Sequence, residues 1–286
     1  MIIQPVMLAE GLRQTKFEAM LGVPPQLLPM APSTSLLSCW YMKLREVFGN
    51  FDELEILVSS SDGYRSMDQL SGDSRFKRVI DPRSHRGTGG VLADYLQARD
   101  SSNADLDYLV VIDRSSCPPN SLAGFMSDLE ASPDILVGVS ELDRLTGIMA
   151  IKPHVLDLVP EVGYFDLKEQ TVDKAIQSGF SVSASVVMPR AISVRSLLGW
   201  LAAIRYLGIE QEKPVGPVAY ADRGINCIDP GARIGKAIIL DSIIMDNAQV
   251  GDGAVVARSV VCSGAYVAPG RRVIDSVIDQ PMSAAV

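Results

Sequence analysis

From Ile2 to about Leu207 the chain alternates between two hydrophobic periods. Short apolar runs of the kind that form buried strands fall at Pro5–Ala9, Leu54–Ser59, Arg78–Ile80, Tyr108–Ile112, Ile135–Val139, Gly147–Ile151 and Ser181–Val187. Between them, apolar positions recur at helical spacing over Ser35–Phe48, Val91–Arg99, Ser121–Ala131, Pro153–Val159, Lys168–Ser178 and Val194–Leu207. Strand and helix taking turns predicts an α/β fold, a mostly parallel sheet with helices on its faces and functional loops beyond the carboxyl ends of its strands.

After the Pro- and Gly-punctuated stretch "GIEQEKPVGPVAYADRG" the rhythm changes. Aliphatic residues recur six positions apart at Ile228, Ile234 and Leu240, at Val250 and Val256, and at Val267 and Val273; Ala232, Ile238, Ile244, Ala254 and Val260 follow four places later. A helix requires a period near 3.6 and a hairpin a plain period of two, whereas six is the spacing of a parallel β-helix, with Gly or Asp at the corner after each inward aliphatic residue. About three coils are expected between Ile228 and Asp279. Ile239, Ile243 and Val255 are expected to point outward, an apolar set of the kind that marks a contact surface. The chain therefore reads as an α/β domain over 1–208, a linker over 209–224 and a repeat domain over 225–286.

With 286 residues, 47% hydrophobic and 21% charged, the chain carries enough apolar content for a folded core. A net charge of −8 and the absence of a basic stripe argue against a nucleic-acid binder. The longest apolar runs, such as Leu197–Ile204, fall short of the roughly 18–20 residues of a membrane helix. The N-terminus shows no signal-peptide pattern, so a soluble, cytoplasmic protein is expected. Cys39, Cys117, Cys227 and Cys262 are scattered, without a C-x-x-C pair or a neighbouring His, and are expected to be buried thiols. No His follows His154, which leaves the repeat without a histidine base for acyl transfer, and no Ser sits in a G-x-S-x-G elbow.

An alternating α/β domain followed by hexapeptide repeats resembles the sugar-1-phosphate nucleotidylyltransferases, or NDP-sugar pyrophosphorylases, across nearly the whole chain. That family opens with L-A-A-G-x-G-T-R-L-x-P-L-T followed by P-K-x-L-L-P. Leu8, Ala9, Gly11, Leu12, Leu21, Gly22, Pro24, Leu27, Leu28 and Pro29 occupy the frame of this motif. The resemblance implies a Rossmann-like, GT-A-like nucleotidyltransferase domain joined to a left-handed parallel β-helix. It also implies nucleotide contacts at Leu8, Ala9 and Gly11, and at Gly87, Thr88, Gly89 and Gly90, whose "HRGTGGVL" context is similar to the family's L-G-T-A-G-A-L loop.

The charged groups of the family pattern are missing from this frame. Its arginine position holds Thr15, its lysine position Pro25, and its second loop glycine is Arg13. Nucleotidyl transfer brings two anions together and needs cations to offset their repulsion. Lys16 and Arg13 are the neighbouring candidates to supply them. The carboxylate that holds magnesium in L-V-x-N-G-D aligns with Arg114 in "DYLVVIDRSS", leaving Asp113 one residue early as the candidate metal ligand, aimed at the opposite face by strand alternation unless the backbone bulges. The second metal aspartate aligns with Ser193, and only "SELDRL" stands where the family has the strands of its sugar pocket. "GYFDLKEQ" keeps the family's entry to a helix, with Phe165 packing and Asp166 capping.

Two functions are compatible with this pattern. One is a catalytically degenerate relative that binds a nucleotide, a sugar phosphate or an active relative, or assembles as a homo-oligomer, and regulates or scaffolds sugar-nucleotide metabolism. The other is a divergent active transferase that uses Lys16, Arg13 and Asp113, with Mg2+ required only in that case.

Overall fold

The computed structural model describes residues 1–9, 16–21, 23–31, 34–49, 51, 53–59, 73–81, 83, 85–99, 106–208, 221–224 and 226–279. In chain order the elements are β1 (Ile3–Leu8), α1 (Lys16–Leu21), β2 (Pro29–Ala31), β3 (Thr34–Ser35), α2 (Leu36–Phe48), β4 (Leu54–Ser59), β5 (Phe76–Asp81), α3 (Gly87–Ala98), β6 (Tyr108–Asp113) and α4 (Ala123–Glu130). They continue with β7 (Ile135–Ser140), β8 (Leu145–Ile151), α5 (Val172–Gln177), β9 (Val182–Met188) and α6 (Leu197–Leu207), and from Ala221 onward with short strands of two or three residues. By its internal contacts the chain divides into two compact units, Met1–Arg13 with Trp40–Ala191, and Gln14–Cys39 with Ile192–Val286.

The first unit holds a seven-stranded mixed sheet in the order β5-β4-β1-β6-β8-β7-β9. All pairings are parallel except those of β8, which runs antiparallel to both β6 and β7. β1 lies between β4 and β6, with Leu8 level with Leu57 on one side and Asp113 on the other. Central strands covered on both faces need continuous apolar runs. β6 meets this demand, Tyr108 to Ile112 being buried throughout. Val6, Leu57, Leu92, Val111, Val137, Met149 and Ile151 belong to one core, each such burial being worth about 1.5–3 kcal/mol. β7 turns directly into β8 through Glu141–Arg144, with Asp143 at φ 53°.

Two helices expected from periodicity take other forms. Pro153–Leu158 is 3₁₀, because Pro153 starts it and the bonds close over three residues, Val155 N to Lys152 O and Val159 N to Leu156 O. The helix expected from Lys168 begins as a wide π turn over Leu167–Thr171, where both Gln170 N and Thr171 N donate to Asp166 O. Asp166 caps it as the sequence predicts, its carboxylate accepting from Lys168 N at 2.8 Å and Glu169 N at 3.0 Å.

In the second unit, short parallel strands from Ala221 to Ile278 form three stacked sheets, an arrangement compatible with a β-helix. Successive coils are not eighteen residues apart: Ile238 pairs with Val255 and Val255 with Arg272, a separation of 17. One corner is made by a single left-handed residue, at Asp241, Arg258 and Asp275 in successive coils. The corner before Ile238 is a further residue shorter than its counterpart one coil on, since Arg233 pairs with Gln249, 16 residues away, and Ile238 with Val255, 17 away, so the inward ladder is Ile239, Val256 and Val273, with Ile238 left 41% exposed and Leu240 half-buried. The expectation that Ile239 points outward is thereby corrected. Ile243 is also fully buried, as are Ile244, Val260 and Val261. Strand alternation turns only one of each adjacent pair inward, so the other face of this stack is covered too, and β2 packs against its first strand, Cys227–Ile228. Of the three expected outward residues only Val255 keeps partial exposure.

Behind the shortened corner lies a polar ladder. Ser242 N donates to Asn226 Oδ1 at 2.8 Å, Ser259 N to Ser242 Oγ at 3.2 Å and Ser276 N to Ser259 Oγ at 3.1 Å, while each serine hydroxyl donates to a carbonyl two residues back. Every buried hydroxyl of Ser242 and Ser259 is thereby satisfied, as burial requires. All four cysteines are free and buried, and burial pushes the thiols of Cys227 and Cys262 up to about 12 and about 11.

Candidate functional site

The order of strands runs away from β1 in both directions, so the gap between the carboxyl ends of β1 and β6 is a topological switch point, the place where open α/β sheets bind ligands. A cavity of about 90 Å³ opens there. Leu8, Thr88, Asp113, Arg114, Asp166 and Lys168 line it, over an apolar floor that includes Val111, Val137 and Met149.

Asp113 is the last residue of β6 and closes a turn in which Ser116 N donates to its carbonyl at 3.1 Å. Because the strand stops there, alternation no longer separates neighbouring side chains, and Asp113 and Arg114 both line the cavity. This corrects the expectation that Asp113 is aimed at the far face. Its Oδ1 accepts from Ser115 N at 3.0 Å and from Ser115 Oγ at 2.8 Å, and its Oδ2 lies 3.2 Å from Lys168 Nζ. Burial alone would raise this carboxyl, but the Lys168 ammonium and the two Ser115 donors outweigh it and hold the group below the ordinary carboxylate range. Gly147 of β8 (φ +83°) faces this turn, and a Cβ there would fall 2.4 Å from Ser116 Cβ and 3.2 Å from Asp113 Cβ.

Thr88 joins helix α3 to the capping turn of the π segment. Its hydroxyl donates to Asp166 Oδ2 at 2.9 Å and accepts from Leu167 N at 2.8 Å. Gly89 N and Gly90 N both donate to Phe165 O, at 2.9 and 3.2 Å. A Cβ on Gly87 would lie 2.6 Å from Phe165 O, and one on Gly89 2.7 Å from Thr171 Oγ1. These glycines thus let the Phe165–Thr171 segment close onto the start of α3, and of the four loop residues Thr88 alone lines the cavity. Arg86, just before the loop, is buried and grips Asp94 with Nε at 3.0 Å and Nη2 at 3.2 Å while donating to Gly163 O and Pro160 O, which ties the same segment down from below.

The other expected site residues are dispersed. Leu8 lines the cavity and Ala9 is fully buried. Lys16 is exposed at the start of α1 and belongs to the second unit, as does the exposed Ser193. Gly11 and Arg13, with Thr15, lie outside the described residues. Lys168 escaped the sequence reading, since its tie to Asp113 spans 55 residues and no local spacing announces it.

The donors around Asp113 do not suit a divalent cation. Mg2+ asks for several oxygen ligands in octahedral array. Here one carboxylate is already matched by an ammonium, a guanidinium lines the same cavity, and Asp166 is occupied by Thr88 and two backbone amides. Among the described residues no group of three or more His, Cys, Asp or Glu side chains is placed to hold a metal ion. Among them, too, no helix is long and apolar enough to cross a membrane. No protein-family model matches the chain, and no curated protein shows significant similarity to it.

Proposed function

We propose that this chain is a catalytically degenerate relative of the sugar-1-phosphate nucleotidylyltransferases, with a left-handed β-helix at its C-terminus, and that it acts by binding within sugar-nucleotide metabolism. The observation that carries the reading is the Asp113–Lys168 pair. At the switch point, where nucleotidyl transfer calls for a carboxylate-bound divalent cation, the carboxylate is neutralised from within the chain. Two further features support it. The backbone amides of Gly89 and Gly90, which in an open loop would receive a ligand, are held by Phe165 O. The cavity, about 90 Å³, has room for about three water molecules, against the roughly 300 Å³ or more of pockets that enclose a nucleotide-sized ligand.

The test is pyrophosphate release from a panel of nucleoside triphosphates and sugar 1-phosphates in the presence of Mg2+. No turnover above background is expected. Turnover that Asp113→Ala abolishes would overturn the reading and favour a divergent active transferase.

A further inference from the structure

The cavity at the switch point is graded from wet to dry. Leu145, 48% exposed, and the Lys168 side chain, 40% exposed, mark its mouth. Val111, Met149 and Val137 are buried and stand level with one another across β6, β8 and β7, so the floor is one continuous apolar row. Asp113 lies two residues beyond Val111, toward the carboxyl end of β6, where Arg114 follows it.

The polar end has more hydrogen bonds to give than to take. Asp113 already accepts from Ser115 N, Ser115 Oγ and Lys168 Nζ, and Asp166 from Thr88 Oγ1 and the amides of Lys168 and Glu169. An ammonium has three N–H groups, and among the described residues that of Lys168 makes one hydrogen bond, to Asp113 Oδ2. Two donors are left at the mouth. Arg114, itself buried, brings a second positive charge to the lining. A matching ligand therefore supplies acceptors at one end and an apolar body at the other. Its size is bounded too: about 90 Å³, at roughly 30 Å³ for each water-sized group, leaves room for about three carbon atoms of a chain.

We propose that this cavity binds a short-chain monocarboxylate of about four carbons, its carboxylate accepting from Lys168 Nζ at the mouth and its aliphatic tail lying on Val111, Met149 and Val137. Lys168 then bridges two carboxylates, and Arg114 offsets the added charge. The proposal rests on the reading that this site turns over no nucleotide, and adds to it the class of ligand that the site takes.

The experiment uses the full chain without nucleotide or Mg2+. Calorimetry, with the Met149 methyl resonance of [methyl-13C]methionine-labelled protein as local reporter, follows titration with acetate, propionate, butyrate and hexanoate at neutral pH and constant ionic strength. Each added carbon is expected to tighten binding about fourfold up to butyrate, and the gain is expected to be gone by hexanoate. Butyramide, the neutral isostere, is expected to bind about tenfold or more weaker, as is butyrate to Lys168→Met, while Lys168→Arg restores part of the loss. Val137→Ile adds a methyl group to the floor and is expected to move the preference from butyrate to propionate, a change that a general loss of folding does not produce. Affinity that is flat with chain length or still rising at hexanoate overturns the proposal. So does butyrate binding unaltered in Lys168→Met, or inorganic phosphate that binds more tightly than butyrate and shifts the same methyl. The two readings fail separately: absence of butyrate binding with no pyrophosphate release removes this proposal alone, whereas pyrophosphate release that Asp113→Ala abolishes removes the catalytically silent site on which it rests.

Discussion

At the scale of single residues, Lys168 is the informative side chain. Asp113 is held below the ordinary carboxylate range although burial opposes it, and Lys168 is the largest influence in the lowering direction. Replacing Lys168 by Met leaves burial with less to oppose it, so the Asp113 carboxyl is expected to titrate at higher pH than in the parent, as followed by carboxyl-carbon NMR. The sign of the stability effect follows from linkage. A carboxylate depressed in the folded state stabilises at pH values above its unfolded value, about 4, and that contribution disappears as pH falls through the folded value. Asp134 has the same sign, its carboxyl lowered to about 2 chiefly by the Ser181 hydroxyl and amide, so its contribution is lost between about pH 4 and 2. Asp134→Asn is accordingly expected to flatten the acid limb of the stability curve in that window while Asp134→Glu restores part of it, measured by urea unfolding at a series of pH values. Gly87 gives a third expectation at this scale. Gly87→Ala sets a Cβ 2.6 Å from Phe165 O on a backbone at φ +71°. The cost is expected to be about 1–3 kcal/mol from overpacking, with about 1–2 more from the left-handed conformation. Loss of this stability without any ligand present would identify the loop as a packing device.

At the scale of elements, the repeat tests whether one residue of register was read correctly. Ile239 is fully buried and Ile238 is 41% exposed, so Ile239→Ala is expected to cost about 2–4 kcal/mol and Ile238→Ala about 0.5 kcal/mol or less. Equal costs, measured by denaturant midpoints, would return the inward position to the six-residue count. The serine ladder makes a similar claim: Ser259→Ala removes the acceptor of Ser276 N and is expected to cost about 1–3 kcal/mol, since that amide is left without a partner beside a buried corner. Much at this scale was legible in the chain. The seven strands of the sheet fall where alternation of apolar runs places them, and their ends differ by a residue or two. The miss at Leu240 has a plain cause. A six-residue count assumes every corner has the same length, and the corner between Ile234 and Ile238 is one residue shorter than the one between Val250 and Val255, with nothing in its local composition to announce it.

At the scale of the molecule, the division of the chain decides how it tolerates cutting. The second unit includes residues from Gln14 to Cys39 as well as everything after Ile192. Within it, Trp200 Nε1 donates to Pro29 O at 2.9 Å, and α6 and β2 pack on each other while β2 also meets the Cys227–Ile228 strand. A chain ended near Pro217 therefore strips from β2 the strand that it packs against on the side of the repeat. It is expected to unfold with a lower midpoint and a broader transition than the whole chain, monitored by circular dichroism, with added dye binding to the uncovered surface. A sharp transition at the parent's midpoint would show instead that the first 217 residues need nothing from the repeat.

What the sequence determined by itself rests on short-range regularity. Periods of two and 3.6 mark strands and helices because side-chain direction repeats along a regular backbone, and the change to a period near six marks stacked coils for the same reason. The capping role of Asp166 is local in the same way, acting on amides two and three residues away. What only the tertiary structure decided are contacts between residues far apart in the chain. Lys168 reaches Asp113 across 55 residues, Thr88 reaches Asp166 across 78, and Phe165 O takes the amides of Gly89 and Gly90. No spacing encodes such meetings, because the chain between them is brought back by the packing of the sheet and not by any local rule. The neutrality of β9 was written in its seven letters, but that those letters form an edge of the sheet follows only from the strand order.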